Sequence, residues 1–208
     1  MKNFFKVFLV VLLGCIVTIS LVACGGGGDD AIDNNPEAPV TGDSKILVAY
    51  FSFSGNTQQL ANMVAESTGG ELFKIVPETA YGSDVFDRAQ NELNNKIRPA
   101  ITSHIDEEVM AEYDVIFVGY PVWWYDLPMP VWTFLEEYDL SGKTIIPFFS
   151  HNGSSSGASS RSTIATLCPD STVLINDYFS VSGRSVSEAT QQVKEWVERL
   201  GYTASIEE

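Results

Sequence analysis

The feature that most constrains this chain is an apolar run, Ile46-Leu-Val-Ala-Tyr-Phe51, that breaks into Ser52-Phe-Ser-Gly-Asn-Thr57. The run is apolar on both parities, the pattern of a strand covered on both faces. Gln58 to Glu66 then carries Leu60, Ala61, Met63 and Val64 at three- and four-residue spacing, which predicts a helix with that face turned inward. Hydroxyls and backbone N–H groups therefore gather where a strand ends and a helix begins. Unpaired amides and the positive end of the helix dipole make such a place attractive to an anion. An ordinary Ser, Asn or Thr helix cap is the alternative reading. The loop contains no lysine, and neither G-x-x-x-x-G-K-[ST] nor G-x-G-x-x-G is present. Hydroxyls and amides alone suit a phosphate monoester that stays bound better than a nucleotide undergoing hydrolysis.

The remaining chain alternates strand and helix patterns. Glu71 to Val76, Asp114 to Tyr120, Thr144 to Phe149 and Thr172 to Ser180 read as further strands. Asp84 to Arg98, with Val85, Ala89, Leu93 and Ile97 on one face, reads as a helix halted by Pro99. Pro130 to Glu137, a segment ending near Leu167, and Ser187 to Leu200 read as three more. This alternation predicts an α/β chain, a single doubly wound domain with five parallel strands and helices on both faces. Two further loops stand out. Pro121-Val-Trp-Trp-Tyr125 exposes large aromatics, which suits a flat conjugated ring, or else a hydrophobic plug under the next helix. Ser150-His-Asn-Gly-Ser154 is small and polar, which lets backbone amides approach a ligand.

These loops resemble those of the flavodoxin family, whose first strand ends in [ST]-x-[ST]-G-N-T around the phosphate of FMN. Ser52, Ser54, Gly55, Asn56 and Thr57 match that pattern. Gly119, Pro121, Trp123 and Trp124 match the G-x-P-x-W-W loop of a flavodoxin-like branch that includes exported bacterial members. The resemblance extends from residue 45 to roughly residue 200 and implies the strand order 2-1-3-4-5. In that order the ligand crevice lies at the carboxyl ends of strands one and three. It implies FMN held by Ser52, Phe53, Ser54, Gly55, Asn56 and Thr57, by Pro121, Val122, Trp123 and Trp124, and by Ser150, His151, Gly153 and Ser154. His151 and Asn152 depart from the T-S-G-G-S form common in the third loop. A donor to the ring edge and a solvent-facing loop histidine are both open readings of His151. No catalytic set and no metal site is expected from two histidines and one core cysteine, Cys168.

The first residues read as an export signal. Lys2 and Lys6 precede an apolar run from Val7 to Val22, shorter than the roughly 20 residues a spanning helix needs. Leu21-Val-Ala-Cys24 looks like a bacterial lipobox, in which the cysteine is acylated. We expect a signal peptide over 1–23, a lipidated Cys24 with a flexible linker over 24–44, and the FMN-binding domain over 45–204. Gly, Asp, Asn and Pro dominate the linker, whose about 20 residues reach on the order of 25 Å. The formal charge of −15 becomes −17 once Lys2 and Lys6 are removed. That balance argues against nucleic acid and anionic headgroups, and suits a redox partner protein with a basic face.

The expectation is therefore an FMN-dependent electron carrier, lipid-anchored on the outer side of a bacterial membrane. Two alternatives are a flavin-dependent NAD(P)H reductase of a quinone or other small acceptor, and a flavin-free ligand-binding lipoprotein. The anchor is directly testable. Cys24→Ser should abolish acylation and leave the protein uncleaved or released. Correct cleavage with an unchanged membrane fraction and no lipid by mass spectrometry would refute it.

Overall fold

The computed structural model describes residues 44–153 and 155–204. The expected leader, Cys24, the linker as far as residue 43 and Ser154 lie outside the described residues. No helix among the described residues is long and apolar enough to cross a membrane.

The chain runs β1 (Ile46–Tyr50), α1 (Asn56–Thr68), β2 (Glu71–Lys74), α2 (Val85–Asn94), α3 (Glu107–Ala111), β3 (Val115–Pro121) and α4 (Met129–Glu137). It continues through β4 (Thr144–His151), α5 (Ala158–Leu167), β5 (Thr172–Val173), β6 (Phe179–Ser182) and α6 (Thr190–Leu200). All strands pair in parallel, in the order β2-β1-β3-β4-β5, and β6 also pairs with β4. This is the doubly wound order the family resemblance implied.

Strand alternation divides the core into two layers. Leu47, Ala49, Ile116, Val118, Ile145 and Phe149 face a cluster with Val85, Phe134 and Ile164 from α2, α4 and α5. Ile46, Val48, Phe117, Ile146 and Phe148 face the other cluster, with Leu60 and Val64 of α1 and Val193 and Trp196 of α6. Full burial of each such side chain contributes roughly 1.5–3 kcal/mol, so both helical layers are required. Cys168 lies in the first cluster, and burial pushes its thiol up to about 11, which keeps it protonated and unreactive near neutrality.

The structure departs most from the sequence pattern in four places. Helix α2 stops at Asn94, not Arg98, because Lys96 turns to φ 52 and the Ile97 N–H donates back to Glu92 O. Ile97 is consequently exposed. Helix α3 fell between expected elements, since five residues cannot display a helical period. The closing helix begins at Thr190, after a short 3₁₀ turn over Val186–Glu188.

The largest departure is that the fifth strand is broken in two. Ile145 pairs with Val173 and Phe148 with Phe179, so two residues of β4 face five of the partner segment. One of those two is Pro147, which offers no N–H to a ladder, and the break falls opposite it. The bulged segment is pinned from both sides. Arg161 donates to Ile175 O and stacks over Tyr178, while Trp196 Nε1 donates to Asp177 O at 3.2 Å.

Gly119 in β3 shows how tightly neighbouring strands pack. A Cβ there would sit 2.2 Å from the fully buried ring of Phe148. Gly119→Ala should cost about 1–3 kcal/mol by overpacking, measured as a lower urea midpoint with an unchanged slope.

Candidate functional site

The site is built where β1, β3 and β4 end. Tyr50 pairs with Gly119 and Tyr120 with Phe149, so the three following loops leave the sheet side by side. The first loop enters α1 through Gly55 at φ 93, a left-handed turn natural to glycine. No side chain caps α1, and its first turn carries no acidic residue. The first amides of a helix have no intrahelical acceptors, so donors and positive dipole face outward here. The Ser52 hydroxyl is buried and has no hydrogen-bond partner among the described residues. Thr57 is 1% exposed, and its Oγ1 lies 3.1 Å from Ser150 Oγ, a buried bond that ties the first loop to the third.

The second loop contains a tight reversal. Trp123 and Asp126 exchange N–H···O bonds, both at 2.9 Å, around Trp124 and Tyr125. Trp123 is half-buried, and its ring meets those of Phe51, Phe53 and Tyr81 edge-on at 5.4, 5.9 and 5.1 Å. Trp124 is 43% exposed and spans toward α2, where its Nε1 donates to Phe86 O at 3.1 Å. The paired tryptophans therefore divide the two sequence readings. Trp123 is part of a packed aromatic cluster and also a cavity wall, whereas Trp124 stands at the rim.

Together these loops enclose a cavity of about 520 Å³. Of the expected residues, Phe53, Ser54, Asn56, Pro121, Val122, Trp123, Trp124, Ser150 and His151 line it. Ser52, Gly55 and Thr57 shape the first loop behind it, and Gly153 holds His151, donating its N–H to Nδ1 at 2.9 Å. Sequence reasoning missed Val85, Phe86, Asn152 and Gly183. Gly183 follows β6 and lies so close to Asn56 that a Cβ would approach its Nδ2 to 2.6 Å. No local signal marked it, because its place depends on the broken fifth strand. Val85 and Phe86 carried a weak signal, a helix start rich in large apolar residues, of which Phe86 is 65% exposed.

A buried ionic network backs the aromatic wall. Glu92 on α2 is 5% exposed, and its carboxylate accepts from Tyr81 OH at 2.5 Å and from Arg88 Nε at 2.7 Å. Arg88 also donates to the carbonyls of Thr79 and Ala80, and its guanidinium lies over the Tyr81 ring at 4.1 Å. Burial, reinforced by the adjacent carboxylate, holds the Tyr81 phenol far above its usual range. The ring that braces Trp123 is thus fixed at both its edge and its hydroxyl.

A sequence-family model for flavodoxins matches residues 45–200. The chain belongs to the flavodoxin family. Among solved structures, this flavodoxin is similar to a candidate flavoprotein from Bacteroides eggerthii, with 34% identity and a TM-score of 0.64 over 76% of this chain and 98% of the other. A candidate flavoprotein from Bacteroides uniformis gives 34% identity and a TM-score of 0.65 over 74% and 98% of the two chains. A flavoprotein from Lactobacillus acidophilus, solved in complex with FMN, gives 25% and 0.56 over 71% and 99%. The carboxyl-end rim of this flavodoxin is accordingly the place to seek its ligand.

The network behind Trp123 can be tested by substitution. Glu92→Ala should cost about 3–5 kcal/mol, since it strands Arg88 and the Tyr81 hydroxyl. Glu92→Gln, which retains acceptor oxygen, should cost less. Chemical denaturation followed by tryptophan fluorescence distinguishes the two, and equal losses would show that the carboxylate acts only as filler.

Proposed function

We propose that this flavodoxin binds FMN and carries electrons between proteins on the outer side of a bacterial membrane, tethered by lipid on Cys24. The observation that carries the reading is the buried Ser52 hydroxyl, without a partner among the described residues, beside the uncapped start of α1. A buried hydroxyl left unpaired costs about 1–3 kcal/mol, so its persistence next to free helical amides is what a bound anion would explain. The residues present fit FMN: a neutral, hydroxyl- and amide-rich loop for a monoester, and a cavity with aromatic walls beside it.

When bound, FMN supplies a ring that takes up and releases electrons. Ser52, Ser54 and the amides around Gly55 and Asn56 would hold its phosphate. Trp123 and Trp124 offer flat apolar surface to the ring, and Ser150, His151 and Asn152 offer polar groups to its edge. A chain charge of −15 disfavours added negative charge on the ring, which favours a low potential, and it attracts a partner with a basic face. The rim stays accessible to such a partner, because Trp124 and Phe53 are 43% and 48% exposed. Direct reduction of a small acceptor is the second reading, and the exposed aromatic rim is the observation that favours it.

Ser52 gives an unusual test, since stability and binding should move apart. Ser52→Ala removes an unsatisfied buried hydroxyl, so the flavin-free protein should melt at the same temperature or higher. FMN binding should weaken by roughly 1.5–3 kcal/mol, the worth of a hydrogen bond to a charged group. Riboflavin, which lacks the phosphate, should lose much less. Equal losses for both flavins in a fluorescence titration would remove the phosphate from this loop.

A further inference from the structure

The third loop carries a sequence feature that the flavin reading does not use. Asn152-Gly153 is the one Asn-Gly pair in the 208 residues, and it stands where His151 and Asn152 depart from the family's small-residue form. We propose that Asn152 is a site of spontaneous deamidation, with His151 as the base that starts the reaction, and that the change loosens the flavin site. The chemistry at Asn152 stands on this loop alone, whereas its consequence rests on the flavin reading.

Two conditions limit deamidation of an asparagine. The next backbone nitrogen must reach the side-chain amide carbon, and it must give up its proton. Gly153 meets the first condition. It has no Cβ to block the approach, and one built there would meet nothing within 4 Å. Its φ of 89 lies in the region that glycine alone enters freely. Asn152 and Gly153 are both exposed and lie beyond the end of β4, so water reaches them. His151 meets the second condition. The Gly153 N–H donates to His151 Nδ1 at 2.9 Å, within the reach a general base needs. A carbonyl in that place would accept the bond but could not take the proton, whereas a neutral imidazole with its hydrogen on Nε2 can. The base is also held in place, since His151 is the last residue of β4, pairs with Ser182 and accepts the Gly183 N–H at 2.9 Å.

The proton passes from Gly153 N to His151 Nδ1 as the nitrogen's electron pair forms a bond to Asn152 Cγ. The Cγ–Nδ2 bond then breaks, and the amide nitrogen leaves as ammonia with the proton returned by His151. Water opens the remaining cyclic imide at either carbonyl, giving aspartate or isoaspartate at position 152. The net change is one amide and one water to one carboxylic acid and one ammonia. A Cβ on Gly183 would lie 2.6 Å from Asn56 Nδ2 and 3.8 Å from Asn152 Oδ1, so both side chains face one point beside the start of α1. A carboxylate at 152 therefore enters next to the loop proposed to hold the phosphate. Among the described residues, no lysine or arginine lines that cavity to offset it. It repels the phosphate, and it replaces an amide that can donate with a group that only accepts.

The test ages the full-length protein in warm neutral buffer and follows position 152 by peptide mass spectrometry, which reads both the amide-to-acid conversion and the isoaspartate share. Wild type should convert at Asn152 faster than at any other asparagine. His151→Ala should slow that conversion roughly tenfold, and added imidazole should restore part of the rate, which a merely structural histidine would not allow. A melting curve verifies that the variant is folded. Asn152 left intact over a period in which the urea-unfolded chain converts overturns the proposal. So does a His151→Ala rate equal to or above that of wild type. Aged protein and Asn152→Asp should bind FMN about tenfold more weakly than fresh protein, with a much smaller loss for riboflavin. Unchanged FMN affinity overturns the loosening of the site. Fresh protein that takes up no FMN contradicts the flavin reading separately, and the mass-spectrometric comparison still decides the chemistry at Asn152.

Discussion

Parallel pairing of β1, β3 and β4 under cover on both faces is the constraint from which the site follows. Parallel strands cannot be joined by tight hairpins, so each connection must cross back over a face, and helices do that while burying apolar surface. Every strand then delivers its carboxyl end to one rim. The loops after β1, β3 and β4 meet there, and the buried contact between Thr57 and Ser150 locks the first to the third. Gly119 and Gly157 permit this closeness, since a Cβ at either would meet the ring of Phe148 or Phe149 at 2.2 Å. The ligand rim is thus inseparable from the packing beneath it.

That packing is unequal on the two sides of the cavity. The side nearer α2 is rigid, with Phe51, Tyr81 and Trp123 edge-on to one another and a buried carboxylate fixing Tyr81 from behind. Buried ion pairs contribute little net stability, but they hold geometry when fully bonded, and Glu92 is bonded through both oxygens. The rim near Trp124 is different. Its indole is tied by one exposed bond to Phe86 O, and its backbone is strained. A fixed wall beside an exposed, strained rim suits a ring that must be held in place yet remain reachable by another molecule.

The charge of the chain acts at longer range. Carboxylates outnumber basic groups by more than two to one, with 27 acidic against 12 basic residues, but the cavity lining contains none of them. Fields from the surface reach the interior of a cleft because low-dielectric walls do not screen them. The lining can therefore stay neutral and shape-specific while the rest of the molecule sets the electrostatic background.

Much of this was legible in the chain itself. Six consecutive apolar residues from Ile46 to Phe51 can be covered only on both faces, and their break into Ser-Phe-Ser-Gly-Asn-Thr marks a strand end facing a helix start. Those local rules, repeated along the chain, determined the fold class, the strand order through its resemblance to a known family, and most of the cavity-lining loops. What the sequence could not display were relations between distant residues. The break in the fifth strand depends on Pro147 of a neighbouring strand and on anchors from α5 and α6. Gly183 joins the cavity only because that break places β6 beside the end of β4. The sequence reading gave Glu92 no role, and only packing of α2 against Tyr81 made it a buried brace. Periodicity and turn chemistry are local properties of a chain, whereas burial, pairing offsets and shared walls exist only once separate segments occupy the same space.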